Sequence, residues 1–168
     1  MGHRRGRSQT GGPGTPATLA LDALGIEYHS HTYSHDPAET AYGPEAAREL
    51  GVPQDRILKT LLVDTGGALA VAVVPVARQL DLKSVAAALG VKAVQLARAA
   101  DATRATGYVI GGISPFGQRR RLPTIIDGSA ADHPTVYVSG GRRGFQVELA
   151  PEALLRATDG SYSPIGRA

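Results

Sequence analysis

Cysteine is absent from all 168 residues, which excludes disulfides, thiolate metal sites and a cysteine nucleophile, and leaves the redox compartment open. Lysine is scarce: of 18 basic residues only Lys59, Lys83 and Lys92 are lysines. No apolar run is long enough to span a bilayer. The longest, residues 68–77, contains Pro75 and falls short of the ~20 residues a membrane helix needs. Arg4 and Arg5 are followed by no apolar segment, so the amino terminus does not read as a secretory signal, and the expectation is a cytoplasmic protein without a membrane partner. The familiar catalytic signatures are missing too. Ser114 and Ser139 lack the Gly-x-Ser-x-Gly spacing, and there is no Gly-x-x-x-x-Gly-Lys loop, Gly-x-Gly-x-x-Gly turn or His-Glu-x-x-His helix.

What is present is an ordinary globular composition, 42% hydrophobic and 20% charged, in a chain of single-domain size. The formal charge is +3, but Arg4, Arg5 and Arg7 stand in the first fifteen residues with no acid; with those three set aside, 15 basic residues face 15 acidic ones. A neutral body lacks the dominant basic field of a long-duplex binder, so DNA is not an expected partner and any nucleic-acid contact must be local. Residues 1–15, rich in Gly, Arg, Ser, Thr and Pro, read as a flexible basic tail. Residues 16–168 read as one domain.

Within that domain, helices are expected from Pro16 to Gly25 with Leu19, Ala20, Ala23 and Leu24 on one stripe, over Pro44–Leu50, Leu82–Leu89 and Ala99–Thr106, and finally over Pro151–Ala157. Strands are expected over Ile26–Tyr33, in a hairpin of Arg56–Asp64 with Ala68–Val74, and over Tyr108–Ile110, Pro123–Ile126, Thr135–Val138 and Phe145–Leu149. The irregular interleaving gives an α+β class with a mixed, largely antiparallel sheet.

Lys59 is the most informative residue. Strand alternation groups it with Ile57, Leu61 and Val63, a costly place for a cation. In a chain that otherwise favours arginine, a lysine there suggests a compact ammonium for a phosphate; a snorkelling lysine at a strand edge is the equal alternative. The run Gly111-Gly112-Ile113-Ser114-Pro115 follows an expected strand and precedes Arg119, Arg120 and Arg121. Its backbone could approach a ligand closely and polarise a carbonyl, with arginines for phosphates, although such runs are also ordinary turns and solvated edges. Ser139-Gly140-Gly141-Arg142-Arg143-Gly144 could form a second cradle with a basic rim, or simply a hairpin loop. His29 and His31 share a strand face but lack a specific ligand spacing, so packing is preferred over a metal site. Neither a metal nor a cofactor is expected.

Six stretches occur together and in order: HTYSHDPAET from His31, LKTLLV from Leu58, QLDLK from Gln79, TGYVIGGISP from Thr106, RLPTIID from Arg121 and YVSGG from Tyr137. Together they resemble the YbaK branch of the prolyl-tRNA-synthetase editing-domain superfamily, from Thr18 to about Arg156. The resemblance implies a barrel-like mixed sheet flanked by short helices, and hydrolysis of the ester joining a wrong amino acid to the tRNA 3′ end. It implies that Lys59 engages the phosphate near the terminal adenosine, with Gly111 and Ser139 completing the catalytic set. Tyr33, Tyr42, Thr60, Gly112, Ile113, Ser114, Pro115, Gly140 and Gly141 would bind substrate, while Arg119, Arg120 and Arg142 would contact tRNA phosphates. Two positions depart from the family: Gln146 stands where an aspartate is usual, and Tyr42 where phenylalanine is.

The expected activity is removal of cysteine from proline tRNA, in which the substrate thiol attacks its own ester, consistent with the absence of a protein nucleophile. Prolyl-tRNA synthetase is an expected partner. The alternatives are a deacylase for alanine or another small residue, a non-catalytic tRNA-binding module, and a metal-dependent hydrolase.

Overall fold

The computed structural model describes residues 14–168. In chain order it runs α1 (Pro16–Ala23), β1 (His29–Thr32), α2 (Tyr42–Leu50), β2 (Leu58–Asp64), β3 (Leu69–Pro75) and β4 (Gln79–Leu80). Next come α3 (Leu82–Leu89), β5 (Gln95–Leu96), α4 (Ala99–Thr106) and β6 (Thr124–Asp127). The chain closes with β7 (Val136–Arg142), β8 (Phe145–Leu149), α5 (Pro151–Thr158), β9 (Ser161–Ser163) and β10 (Gly166–Arg167).

Local chemistry sets most boundaries. Asp81 caps α3, accepting from the amides of Lys83 and Ser84, and Gly90 ends that helix in the left-handed conformation. Gly51 and Gly107 end α2 and α4 in the same way. Thr15, at the end of the expected tail, is the cap of α1: its side chain accepts from Thr18 N–H, and its hydroxyl donates to Gly140 O at 2.6 Å, tying α1 to β7. Residues 1–13 of the expected tail lie outside the described part. On α1 the buried residues are Ala17, Thr18 and Leu21, while Leu19 and Leu24 are exposed. The expected stripe is therefore corrected, because the cap on Gly140 fixes which face meets the core.

The strands form three hydrogen-bonded sheets, in the orders β1-β8-β7, β10-β4 and β5-β2-β3-β6-β9. Pairing is antiparallel except for β3 with β6 and β6 with β9, so the mixed, largely antiparallel class holds. No closed barrel is found among the described residues; a single parallel bridge, Ile57 to Tyr137, joins the two larger sheets. The largest apolar cluster lies between them, with Leu58, Leu62, Val71 and Val73 from one sheet meeting Val136, Val138, Phe145 and Val147 from the other.

Two expectations fail for tertiary reasons. Tyr108–Ile110 is not a strand, because Tyr108 turns inward to donate its hydroxyl to Phe116 O and Gly112 N–H closes a turn on Val109 O. The run Ser139–Arg142 is not a free loop. It continues β7, with a register shift between Ser139 and Arg142 that absorbs the glycines as a bulge.

Buried Asp127 fastens the C-terminal segment. Its Oδ1 accepts from the amides of Ile165 at 3.0 Å and Gly166 at 2.8 Å, and its Oδ2 from Ser129. Burial pushes this carboxyl up, but the hydrogen bonds from Ser129, Gly166 and Ile165 outweigh burial and hold it below the ordinary aspartate range.

Candidate active site

The site follows from the way β2 is paired. In an antiparallel ladder, alternate residues point their N–H and C=O to opposite sides. Ile57 O accepts from Val76 N–H on the β3 side, whereas Arg56 O accepts from Tyr137 N–H and Leu62 O from Ala97 N–H on the other. Thr60, in the same alternation as Arg56 and Leu62, therefore faces away from β3, where strand pairing is limited to Ile57 at one end and Val63–Asp64 at the other. Between these ties β2 has an open edge.

A cavity of about 420 Å³ lies along that edge, lined by Ile57 through Leu62. At the Ile57 end its wall carries Ser139 and Gln146, which face each other across β7 and β8. Toward the Leu62 end it carries Leu96, Ala97, Ala99 and Ala102. Tyr42, Gly43, Val76, Ile110, Gly111 and Ile113 complete it. Five residues of extended chain at ~3.3 Å each separate the two ends by roughly 16 Å.

Lys59 lines this cavity and is half-buried. Burial pulls its ammonium below the ordinary lysine range. Its side chain has no hydrogen-bond or ion-pair partner among the described residues. A desolvated, unpaired cation is expensive unless something anionic meets it. Thr60 and Gln146, which also line the cavity, each bury a side-chain oxygen that has no hydrogen-bond partner. The cavity thus sets one positive charge and the polar residues Thr60, Ser139 and Gln146 in a largely apolar wall, the composition of a pocket for a small polar ligand attached to an anion.

The loop after α4 closes over it. Gly111 has φ +84°, and a Cβ there would come within 2.7 Å of the Tyr42 ring, so only glycine lets the loop lie against α2. A Cβ on Gly112 would meet Arg142 Cα at 2.9 Å. Arg143 bolts the rim: its Nε donates to Ile110 O at 2.8 Å, and its guanidinium lies 4.8 Å from the centre of the Tyr42 ring. Behind Tyr42, buried Glu45 joins His35 at 2.6 Å and accepts from Asp36 N–H at 3.0 Å, fixing the start of α2.

Of the residues expected at a site, the structure brings Tyr42, Lys59, Thr60, Gly111, Ile113 and Ser139 to one cavity. Others are structural neighbours of it. Ser114 is buried and accepts from Phe116 N–H, Pro115 is buried beside it, and Gly112 spends its N–H on Val109 O, which removes it from any amide cradle. Gly140 lies against the Phe145 ring, and Gly141 gives its N–H to Ser139 Oγ. Tyr33 stands behind Gln146; burial and Glu45 push its hydroxyl up, against hydrogen bonds with Gly144 and Gln146 that lower it.

The arginines are redistributed. Arg119 and Arg120 use their amides on the carbonyls of Thr106 and Ala105, and Arg120 borders a separate cavity with Asp64, Asp101 and Arg104. Arg142 lies over the Phe145 ring. None of the three lines the main cavity; the basic group at its rim is Arg143, selected over Arg142 by the bulge in β7. His31 bonds Glu148 at 2.9 Å and packs against Tyr137, while His29 is exposed. No cluster of metal-ligating side chains and no helix long and apolar enough to cross a membrane occurs among the described residues.

A mixed-sheet domain with an acyl-sized cleft beside an unpaired lysine is the class that fold and site define. The chain belongs to the aminoacyl-tRNA editing domain family, whose model matches residues 35–157. An Enterococcus faecalis protein, EbsC, provisionally named a Cys-tRNA(Pro)/Cys-tRNA(Cys) deacylase, is 42% identical over 120 residues, 71% of this chain and 73% of that protein. Among solved structures, a hypothetical protein superposes with a TM-score of 0.81 at 28% identity, covering 90% of this chain and 99% of its own. A protein provisionally described as a trans-editing enzyme for prolyl-tRNA synthetase superposes with a TM-score of 0.78, covering 91% and 96%; at 24% identity it bears on the fold.

Proposed function

We propose that the protein is a trans-editing deacylase that removes cysteine from proline tRNA. The observation that carries the reading is the unpaired, half-buried Lys59 lining one cavity with Thr60, Gly111 and Ser139. Lys59 holds the phosphate of the terminal nucleotide, which places the aminoacyl ester at the polar end of the cleft. Thr60, Gln146 and Ser139 supply polar contacts there, and Tyr42 with Gly111 closes the cleft over the acyl group.

No protein nucleophile is required. The substrate thiol, with an ordinary pKa near 8.5 and hence a few per cent thiolate at neutral pH, supplies one. Its sulfur bonds to the ester carbonyl carbon, the bond from that carbon to the ribose oxygen breaks, and the departing ribose oxygen takes up a proton to become the hydroxyl. Water then opens the thiolactone to free cysteine. Chemistry of this kind discriminates where a pocket alone separates small side chains by only about 1–3 kcal/mol. The neutral charge balance of residues 16–168 suits an enzyme that leaves recognition of the tRNA body to a partner such as prolyl-tRNA synthetase.

The test is a panel of proline tRNAs charged with cysteine, serine and alanine. Cysteine should be released far faster than serine. Equal rates for the two would replace thiol attack with attack by bound water, and preferential release of alanine would make the protein a deacylase for that residue.

A further inference from the structure

Five large hydrophobic side chains are exposed among the described residues, and they include Leu96 at 56%, Ile110 at 39% and its chain neighbour Val109 at 55% exposure. Leu96 and Ile110 line the cavity itself. They come from separate segments, and each is fixed by backbone contacts. Leu96 is paired with Val63 at the end of β2, and Ala97 N–H is bound to Leu62 O. Ile110 is pinned through its carbonyl by Arg143. This lip is therefore built in, with apolar side chains from two separately anchored segments of the lining held open to solvent.

We propose that this lip seats the terminal nucleobase of the tRNA acceptor end. The inference rests on the deacylase reading and adds the part of the substrate which that reading leaves unplaced. The acyl group is bonded to a ribose, so a base must lie next to the cleft whenever the ester is inside it. With Ser139, Gln146 and Thr60 in the cavity wall and Lys59 on the phosphate, the exposed side chains of Leu96 and Ile110 are the solvent-open apolar surface that remains in the lining. A base has a flat apolar face that gains by leaving water, and stacking of this kind tolerates any base. It also lets the site bind the acceptor end without the basic surface that the charge balance lacks.

The test uses cysteine linked through a stable amide to 3′-amino-3′-deoxyadenosine 5′-monophosphate, and the same compound with hydrogen in place of adenine. Binding of each is measured calorimetrically to the wild type and to a Leu96→Asn, Ile110→Asn variant. Loss of the base should weaken binding to the wild type about tenfold, the scale of one stacked base, and should weaken binding to the variant less than about twofold. Equal losses in both proteins, or none in the wild type, would overturn the proposal and leave the deacylase reading standing. Failure of the wild type to bind either compound would remove both. Because the variant could fold poorly, 2-aminopurine in place of adenine gives a measurement on the wild type alone. Its emission should shift on binding as the base leaves water, and an unchanged emission would equally refute the seat.

Discussion

The two edges of β2 are made by the same seven residues and behave oppositely. Toward β3 every residue from Leu58 to Asp64 has a partner, so that edge is a structural joint. Away from β3 the strand is tied at Ile57 and at Val63–Asp64, and the stretch between carries Lys59 and Thr60 into a cavity. An unpaired edge is normally a liability for a soluble protein. Here it is enclosed by Tyr42 and the Gly111 loop, which makes it usable for a ligand while hiding it from other strands.

The largest effect expected from disturbing this contrast is on turnover. Lys59→Ala should lower single-turnover deacylation of Cys-tRNA(Pro) by about a hundredfold, the cost of losing substrate placement, with the thermal transition kept or raised because a desolvated cation is removed. Near-normal turnover would dissociate the open edge from function. Next come paired proline substitutions read by denaturant unfolding. Leu61 faces β3, so Leu61→Pro removes a ladder bond and leaves a carbonyl unsatisfied, costing about 1–3 kcal/mol. Thr60→Pro removes an N–H that faces the cleft and should cost clearly less stability, while lowering activity. Equal destabilisation would mean that the outer edge is no more open than the inner one.

A comparable stability effect is expected far from β2. Asp127→Ala leaves the amides of Ile165 and Gly166 without their acceptor and should cost about 2 kcal/mol. Because its folded pKa lies below the unfolded value, the contribution of Asp127 is fully present above the ordinary carboxylate range and is lost as pH falls through the folded pKa. The acid limb of a stability-versus-pH curve should therefore flatten in Asp127→Ala, and an unchanged limb would reassign it. The smallest effect is on the alkaline side. Lys59 loses its proton below the ordinary lysine range, so the affinity for a phosphate-bearing ligand should fall with rising pH earlier than a free lysine would dictate. A decline only at the ordinary lysine pKa would place the ammonium in water.

The same contrast explains what was legible in the sequence. Features fixed by a few neighbouring residues could be read directly: the hairpin of β2 and β3, the caps of α3 and α4, the strand Phe145–Leu149, and a lysine misplaced among apolar residues. Features fixed by distant contacts could not. β5 is two residues whose strand geometry is set by β2, so Leu96 gave no signal as part of a cavity. The choice of Arg143 over Arg142 for the rim depends on a bulge that shifts the register of β7, and the failed strand at Tyr108 depends on a bond to Phe116 O. The residues matching the family motifs divided in the same way. Those on β2 and at the tip of the Gly111 loop reached the cleft, while Ser114, Pro115, Gly140 and Gly141 serve to hold its walls.

The central claim, that the ammonium of Lys59 grips the terminal phosphate, is tested most directly by a binding cycle. Amide-linked cysteinyl-adenosine with and without its 5′-phosphate would be titrated into the wild type and Lys59→Ala. If the claim holds, removing the phosphate weakens binding to the wild type by about tenfold or more, as for a charge-assisted contact, and leaves Lys59→Ala nearly unaffected. Equal losses in the two proteins would show that the phosphate is held elsewhere.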